Sequence, residues 1–217
     1  MMVASLWTSF FGLQCIVQHP TFPDLKEFQM KQVLSFAVVM TLAVCGLSVS
    51  AEDIKSGLKA GDSIGAFDVT KCAGAEKDKV AVGDNLCYRC KNGSRPQVMV
   101  FTRSTDAKVV ALVKQLDEQI KKNEEAQLKA FVNYLGDSKD AASDAAKKLA
   151  TTTKAENIPF VVPNEYENGP EDYGINAKAA ITVIMAHEGK VKANYAYAKA
   201  SELDVEAVIG DLKKILN

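Results

Sequence analysis

Apolar runs alternating with amphipathic stretches set the rhythm of this chain from residue 64 onward. Residues 64–72, IGAFDVTKC, read as a short strand, and the Gly-, Lys-, Asp- and Asn-rich 73–95 as loop or hairpin. Gln97–Thr102, QVMVFT, is a continuous apolar run of the kind a fully buried strand shows. In the stretch that follows, Val109, Leu112, Val113, Leu116 and Ile120 recur at helical spacing and predict a helix with one buried stripe. Ser104 or Thr105 is its expected N-cap, with Asp106 in the first turn. Residues 128–135 predict the next strand, 138–152 a helix and 158–163 another strand. A polar loop or short helix fills 164–178. Residues 180–186, AITVIMA, and the following VKANYAYA predict a hairpin turning at His187–Lys190. A last helix starts at a Ser201 cap and buries Val205, Val208, Ile209, Leu212, Ile215 and Leu216. The order is β-α-β-α-β, then a hairpin, then a helix, which predicts an α/β sheet with parallel strands joined by crossover helices.

The front of the chain follows a different pattern. Lys31 precedes an apolar stretch from Val33 to Leu47, and Val49-Ser50-Ala51 closes it with small residues. These are the parts of a secretory signal peptide, expected to span 30–51 and to be cleaved near Ala51. The stretch is short of the roughly 20 residues that a bilayer core requires. A retained membrane anchor and a lipoprotein modified at Cys45 are the competing readings, and Val44 before that cysteine fits a lipobox poorly. Met30 is the expected start, with residues 1–29 a mis-annotated extension and 52–217 the working domain. The expected destination is an exported one, periplasmic or secreted, where disulfides persist.

Composition narrows the function. The formal net charge is −1, and no cluster of positive charge of the kind a nucleic-acid surface needs is visible, so no nucleic-acid partner is expected. The exported part carries three cysteines, Cys72, Cys87 and Cys90, and His187 as its histidine. No Gly-rich phosphate loop or hydrolase nucleophile elbow is visible, and no cofactor is implied. Arg103 and Asp106 read as helix-capping, solvent-facing residues before they read as an anion site, and the Lys-rich run at 121–129 as a solvated helix face.

The stretch DYGINAKAAITVIMAHEGKVKANY, 172–195, resembles a stretch shared by thioredoxins and peroxiredoxins of the AhpC/TSA type. Tyr173-Gly174-Ile175 with Gly189-Lys190-Val191 is its most specific part, and the resemblance covers about 62–217. It implies a thioredoxin-like fold, a central mixed sheet with flanking helices and an N-terminal extension. It also implies a short helical turn in GDNLCYRCKNGSRPQVMVF and a protein thiol or disulfide as partner. Two family signatures are missing. Where the reactive cysteine would follow the first central strand, the chain has Thr102-Arg103-Ser104-Thr105-Asp106-Ala107. Where a cis-proline would precede the fourth strand, it has Ile181 followed by Thr182, and a trans bond is expected there.

Cys87-Tyr88-Arg89-Cys90 is the CxxC of the chain, and it precedes the strand that such a motif usually follows. Three readings stay open. The first is structural, in a non-enzymatic binding or structural module: a Cys87–Cys90 bridge closing a small loop, or a bridge from Cys72 closing the larger 72–90 loop, the latter stabilising by roughly 3 kcal/mol. The second is a displaced dithiol site with Cys87 as nucleophile, Cys90 as resolving thiol and Cys72 as a further partner, its thiolate favoured by Arg89, Lys91 and Arg95. The third is soft-metal binding by Cys72, Cys87 and Cys90, with His187 the weak candidate for a fourth ligand.

Overall fold

The computed structural model describes residues 54–216, so the expected signal peptide and the upstream 1–29 segment lie outside the described residues. Seven strands form one sheet: β1 (Val69–Ala73), β2 (Asn85–Leu86), β3 (Gln97–Thr102), β4 (Lys129–Tyr134), β5 (Phe160–Pro163), β6 (Ile181–His187) and β7 (Lys190–Tyr197). Their order across the sheet is β2-β1-β5-β4-β3-β6-β7. The β3, β4 and β5 strands run parallel, and β1, β6 and β7 join antiparallel. Helices α2 (Ala107–Lys122) and α3 (Lys139–Thr153) make the crossovers, and α4 (Val205–Gly210) and α5 (Lys213–Leu216) close the chain.

The continuous apolar run of β3 is explained by its place between β4 and β6, where both faces are covered. Val98 and Val100 point into one core layer with Val109, Leu112 and Leu116 of α2. Met99 and Phe101, one residue out of phase, point into the other with Phe67, Phe131 and Tyr173. The second layer is aromatic: the Phe67 ring meets Tyr173 edge-on with centroids 4.9 Å apart.

Several details differ from the expectation. The first strand starts at Val69 rather than at 64, and a single bridge from Ser63 to Lys190 is the pairing ahead of it. The 73–95 stretch agrees with its reading as loop or hairpin, since β1 and β2 pair as a hairpin, and the helical turn implied by the resemblance is α1 (Tyr88–Asn92); the sequence reading lacked the 3-10 turn at Glu76–Asp78. The α2 helix is capped by Asp106, whose carboxylate accepts from the Lys108 amide, instead of by Ser104 or Thr105. Ser104 serves one step earlier, its hydroxyl accepting from the Asp106 amide. At the C-terminus Asp204, not Ser201, caps α4, accepting from the Ala207 amide. The single predicted final helix is broken at Asp211–Leu212 into α4 and α5. Among the described residues no helix is long and apolar enough to cross a membrane.

Candidate functional site

Cys87 and Cys90 are joined in a disulfide, with Cα atoms 5.2 Å apart. Cys87 is the N-cap of α1: its backbone is extended, and its sulfur accepts from the Cys90 amide at 3.0 Å. Cys87 is half-buried and Cys90 exposed. Gly93 ends the helix at φ +65, a conformation that suits glycine, and its amide reaches the carbonyls of Arg89 and Cys90.

The segment sits at the amino ends of the parallel strands. Gln97, the first residue of β3, donates from its side chain to the Gly93 carbonyl. Arg95 donates to the Gln127 side-chain oxygen just ahead of β4. The Glu188 amide, in the β6–β7 turn, donates to Ser94, and the Arg89 guanidinium lies beside Gly189 of the same turn. The CxxC is therefore at the pole opposite the one where open α/β sheets bind ligands.

Beneath α1 lies a buried polar network. Tyr88, between the two cysteines, is 3% exposed, stacks on Phe131 with centroids 5.9 Å apart and donates its hydroxyl to Asp78 at 2.5 Å. Asp78 also accepts from Lys71 and from the Val80 amide, both at 2.8 Å. Lys71, 2% exposed, gives its remaining protons to the carbonyls of Ala75 and Val80. An ammonium has three donors, and all three are used. They hold a loop that the backbone alone disfavours, because Ala75 and Lys79 both adopt left-handed φ values. Gly74 begins that loop, and a Cβ there would sit 2.3 Å from the Ile158 carbonyl oxygen. Burial, then Asp78, pushes the Tyr88 phenol far above its ordinary range.

The third cysteine is elsewhere. Cys72 is a free thiol, buried in the layer of α2 and α3, while Tyr88 belongs to the opposite layer. His187 ends β6 and is half-buried. Among the described residues no group of three His, Cys, Asp or Glu side chains is placed to hold a metal ion.

At the carboxyl pole, the positions that the resemblance singles out are occupied by capping and packing. The Thr102 hydroxyl lies 3.2 Å from the Ala180 carbonyl and accepts from the Ser104 amide. Arg103 donates to the Glu167 carbonyl and to Asn168, and burial lowers its pKa. Ile181 is buried, and the Thr182 hydroxyl shares a 2.6 Å hydrogen bond with Ser56. Lys71, Asp78 and Tyr88 were not singled out from the sequence. Their one signal is a lysine at an inward position of β1, on the same face as Val69.

Order, register and layers define a thioredoxin-like fold. Comparison with solved structures agrees. AhpC of Mycobacterium tuberculosis superposes with a TM-score of 0.53 at 13% identity, covering 74% of this chain and 99% of that one. A Chlorobium tepidum protein assigned as thiol:disulfide interchange protein DsbE gives 0.53 at 15% identity, with the same coverage of each chain. AhpC of Mycobacterium bovis gives 0.50 at 12%, covering 73% and 93%. No protein-family model matches the chain, and no curated protein matches it by sequence.

Proposed function

We propose that this chain is a thiol–disulfide redox protein whose reacting pair, Cys87 and Cys90, has moved to the amino pole of a thioredoxin-like sheet. One observation carries the reading: the Cys87 sulfur is held at the start of α1 with the Cys90 amide donating to it at 3.0 Å. A donor aimed at sulfur favours the thiolate, and Arg89, Lys91 and Arg95 add positive charge in the same segment. In the reducing direction the Cys87 thiolate attacks a partner disulfide, forms a mixed disulfide and expels one partner thiolate. The Cys90 thiolate then attacks Cys87, closes the intramolecular bridge and releases the second. Two electrons pass to the partner, and the two thiol protons end on its sulfurs. The signal-like 30–51 segment supports work in an oxidising compartment, on protein thiols there.

A non-enzymatic reading has its own observation. Tyr88, between the bridged cysteines, is buried, stacked on Phe131 of β4 and tied to Asp78, so α1 is anchored as a structural element that the bridge merely closes. The reduction potential, measured with insulin-reduction turnover, separates the two. A potential between about −270 and −120 mV, with turnover lost in Cys87→Ser, establishes redox work. In Cys90→Ser the mixed disulfide should accumulate on Cys87 and be visible by mass. A potential below about −300 mV without turnover establishes the structural bridge instead.

A further inference from the structure

Beside α1 a cleft of about 390 Å³ opens between the helix and the amino ends of β4 and β5. Three cations border it: Lys91 on α1, Arg95 in the α1–β3 connection and Lys129 at the start of β4. None of the three has a carboxylate oxygen within 4.0 Å among the described residues. The acid in the wall, Asp78, is already neutralised, its oxygens taken by Lys71, Tyr88 and the Val80 amide. Arg95 is pre-positioned: its Nε donates to Gln127 at 2.7 Å and its Nη1 to the Lys91 and Asn92 carbonyls at 3.3 and 3.4 Å, leaving Nη2 as the unengaged donor. The volume lies within the usual range for a small ligand or a few residues of peptide.

We propose that this cleft binds an acidic peptide segment of the thiol partner, with carboxylates at Lys91, Arg95 and Lys129 and the partner's cysteine reaching the Cys87–Cys90 pair; the inference rests on the redox reading above. The placement favours a peptide over a compact acid. The cations stand on three separate elements, and side-chain amides of Asn92, Gln127 and Asn157 stand among them, each with one atom bonded inside the protein, to Gln97, Arg95 and Asp117, and the other left for a peptide backbone. The cysteines do not line the cleft, but Lys91 stands one helical turn from Cys87, its amide donating to the Cys87 carbonyl at 2.9 Å, so a segment held at Lys91 can continue over the helix to the disulfide. The chemistry is the exchange written above. The cleft adds orientation and local concentration.

The test uses two matched peptide disulfides, one with Asp and Glu flanking the cysteine, the other with Asn and Gln. At low ionic strength the acidic peptide should show a kcat/KM about tenfold higher, what two well-placed exposed ion pairs supply. Added salt should shrink that ratio, and Lys129→Gln should cut it about threefold, one such pair. Lys147→Gln, on α3 outside the cleft, should leave both rates unchanged. In parallel, an acidic peptide with serine for cysteine is titrated by fluorescence anisotropy. Exchange with both peptides at equal rates overturns the cleft and leaves the redox reading standing. Saturable, Lys129-dependent binding of the serine peptide without any exchange keeps the cleft and overturns the redox reading.

Discussion

Lys71 is a charged residue fully inside the protein, and its cost is offset because every proton it carries has an oxygen. Replacing it by methionine strands the Asp78 carboxylate, which keeps only the Val80 amide and the Tyr88 hydroxyl. Loss of one partner of a buried pair costs about 3–5 kcal/mol. Asp78 is 16% exposed, so Lys71→Met should fall at the lower end, about 3 kcal/mol by urea denaturation. The double variant with Asp78→Asn should recover part of it. Tyr88→Phe removes one hydrogen bond to a charged group and should cost about 1.5–3 kcal/mol. The same phenol predicts a pH dependence. Burial, with Asp78, raises the Tyr88 pKa above that of the unfolded chain, and burial raises that of Tyr173, against a smaller opposing effect of Arg89. The stability they confer is therefore complete below about pH 10, where unfolded tyrosines are still protonated, and is lost as pH rises beyond it. Urea midpoints should drop above pH 10, and less steeply in Tyr88→Phe. Phenolate absorbance of these two residues should appear together with unfolding.

Among the elements, the central strands and long helices were legible because each is a strong pattern of one period. QVMVFT became β3 as read, and the Val109–Ile120 stripe became the buried face of α2. The caps were misplaced by a few residues, because Ser, Thr and Asp all cap well and the sequence offers several in a row. The winner was decided by where the loop's hydrogen bonds go: Thr102 and Ser104 serve the turn, which leaves Asp106 for the helix. Asp106→Ala should cost about 1 kcal/mol. It lies at the carboxyl pole, so the reduction potential of Cys87–Cys90 should not move. A shift there would place the redox function at the pole this structure gives to capping. The α1 helix came only from the resemblance, because five residues are too few to show a period. Its anchor, Tyr88 on Asp78, joins residues ten apart through a turn with two left-handed positions, and no local propensity announces it.

At the scale of the whole molecule, the resemblance carried the fold, and the structure answers where the CxxC lies: the amino pole, about a strand length from the usual site. Spacing along the chain does not decide whether 87–95 turns back across the sheet. Gln97, Gln127 and the β6–β7 turn hold the segment where it is. The disulfide closes so small a loop that its removal should hardly weaken the fold. Reduction should lower urea stability by less than about 2 kcal/mol, measured on oxidised and reduced protein under the same conditions. That short separation also governs how the bridge is made. Cys87 and Cys90 can meet in the nascent chain before any sheet exists, since closing so short a loop is fast. Cys72 leaves the competition once β1 finds β5, whose partners are some ninety residues further on, at Val69 with Pro163. Until then it is, among the described residues, the one thiol outside the pair that can divert Cys87 or Cys90 into a wrong bridge, so scrambling in the 52–217 chain should decline with the pace of that distant pairing, and a serine in its place should make oxidative refolding of that chain a single-product reaction.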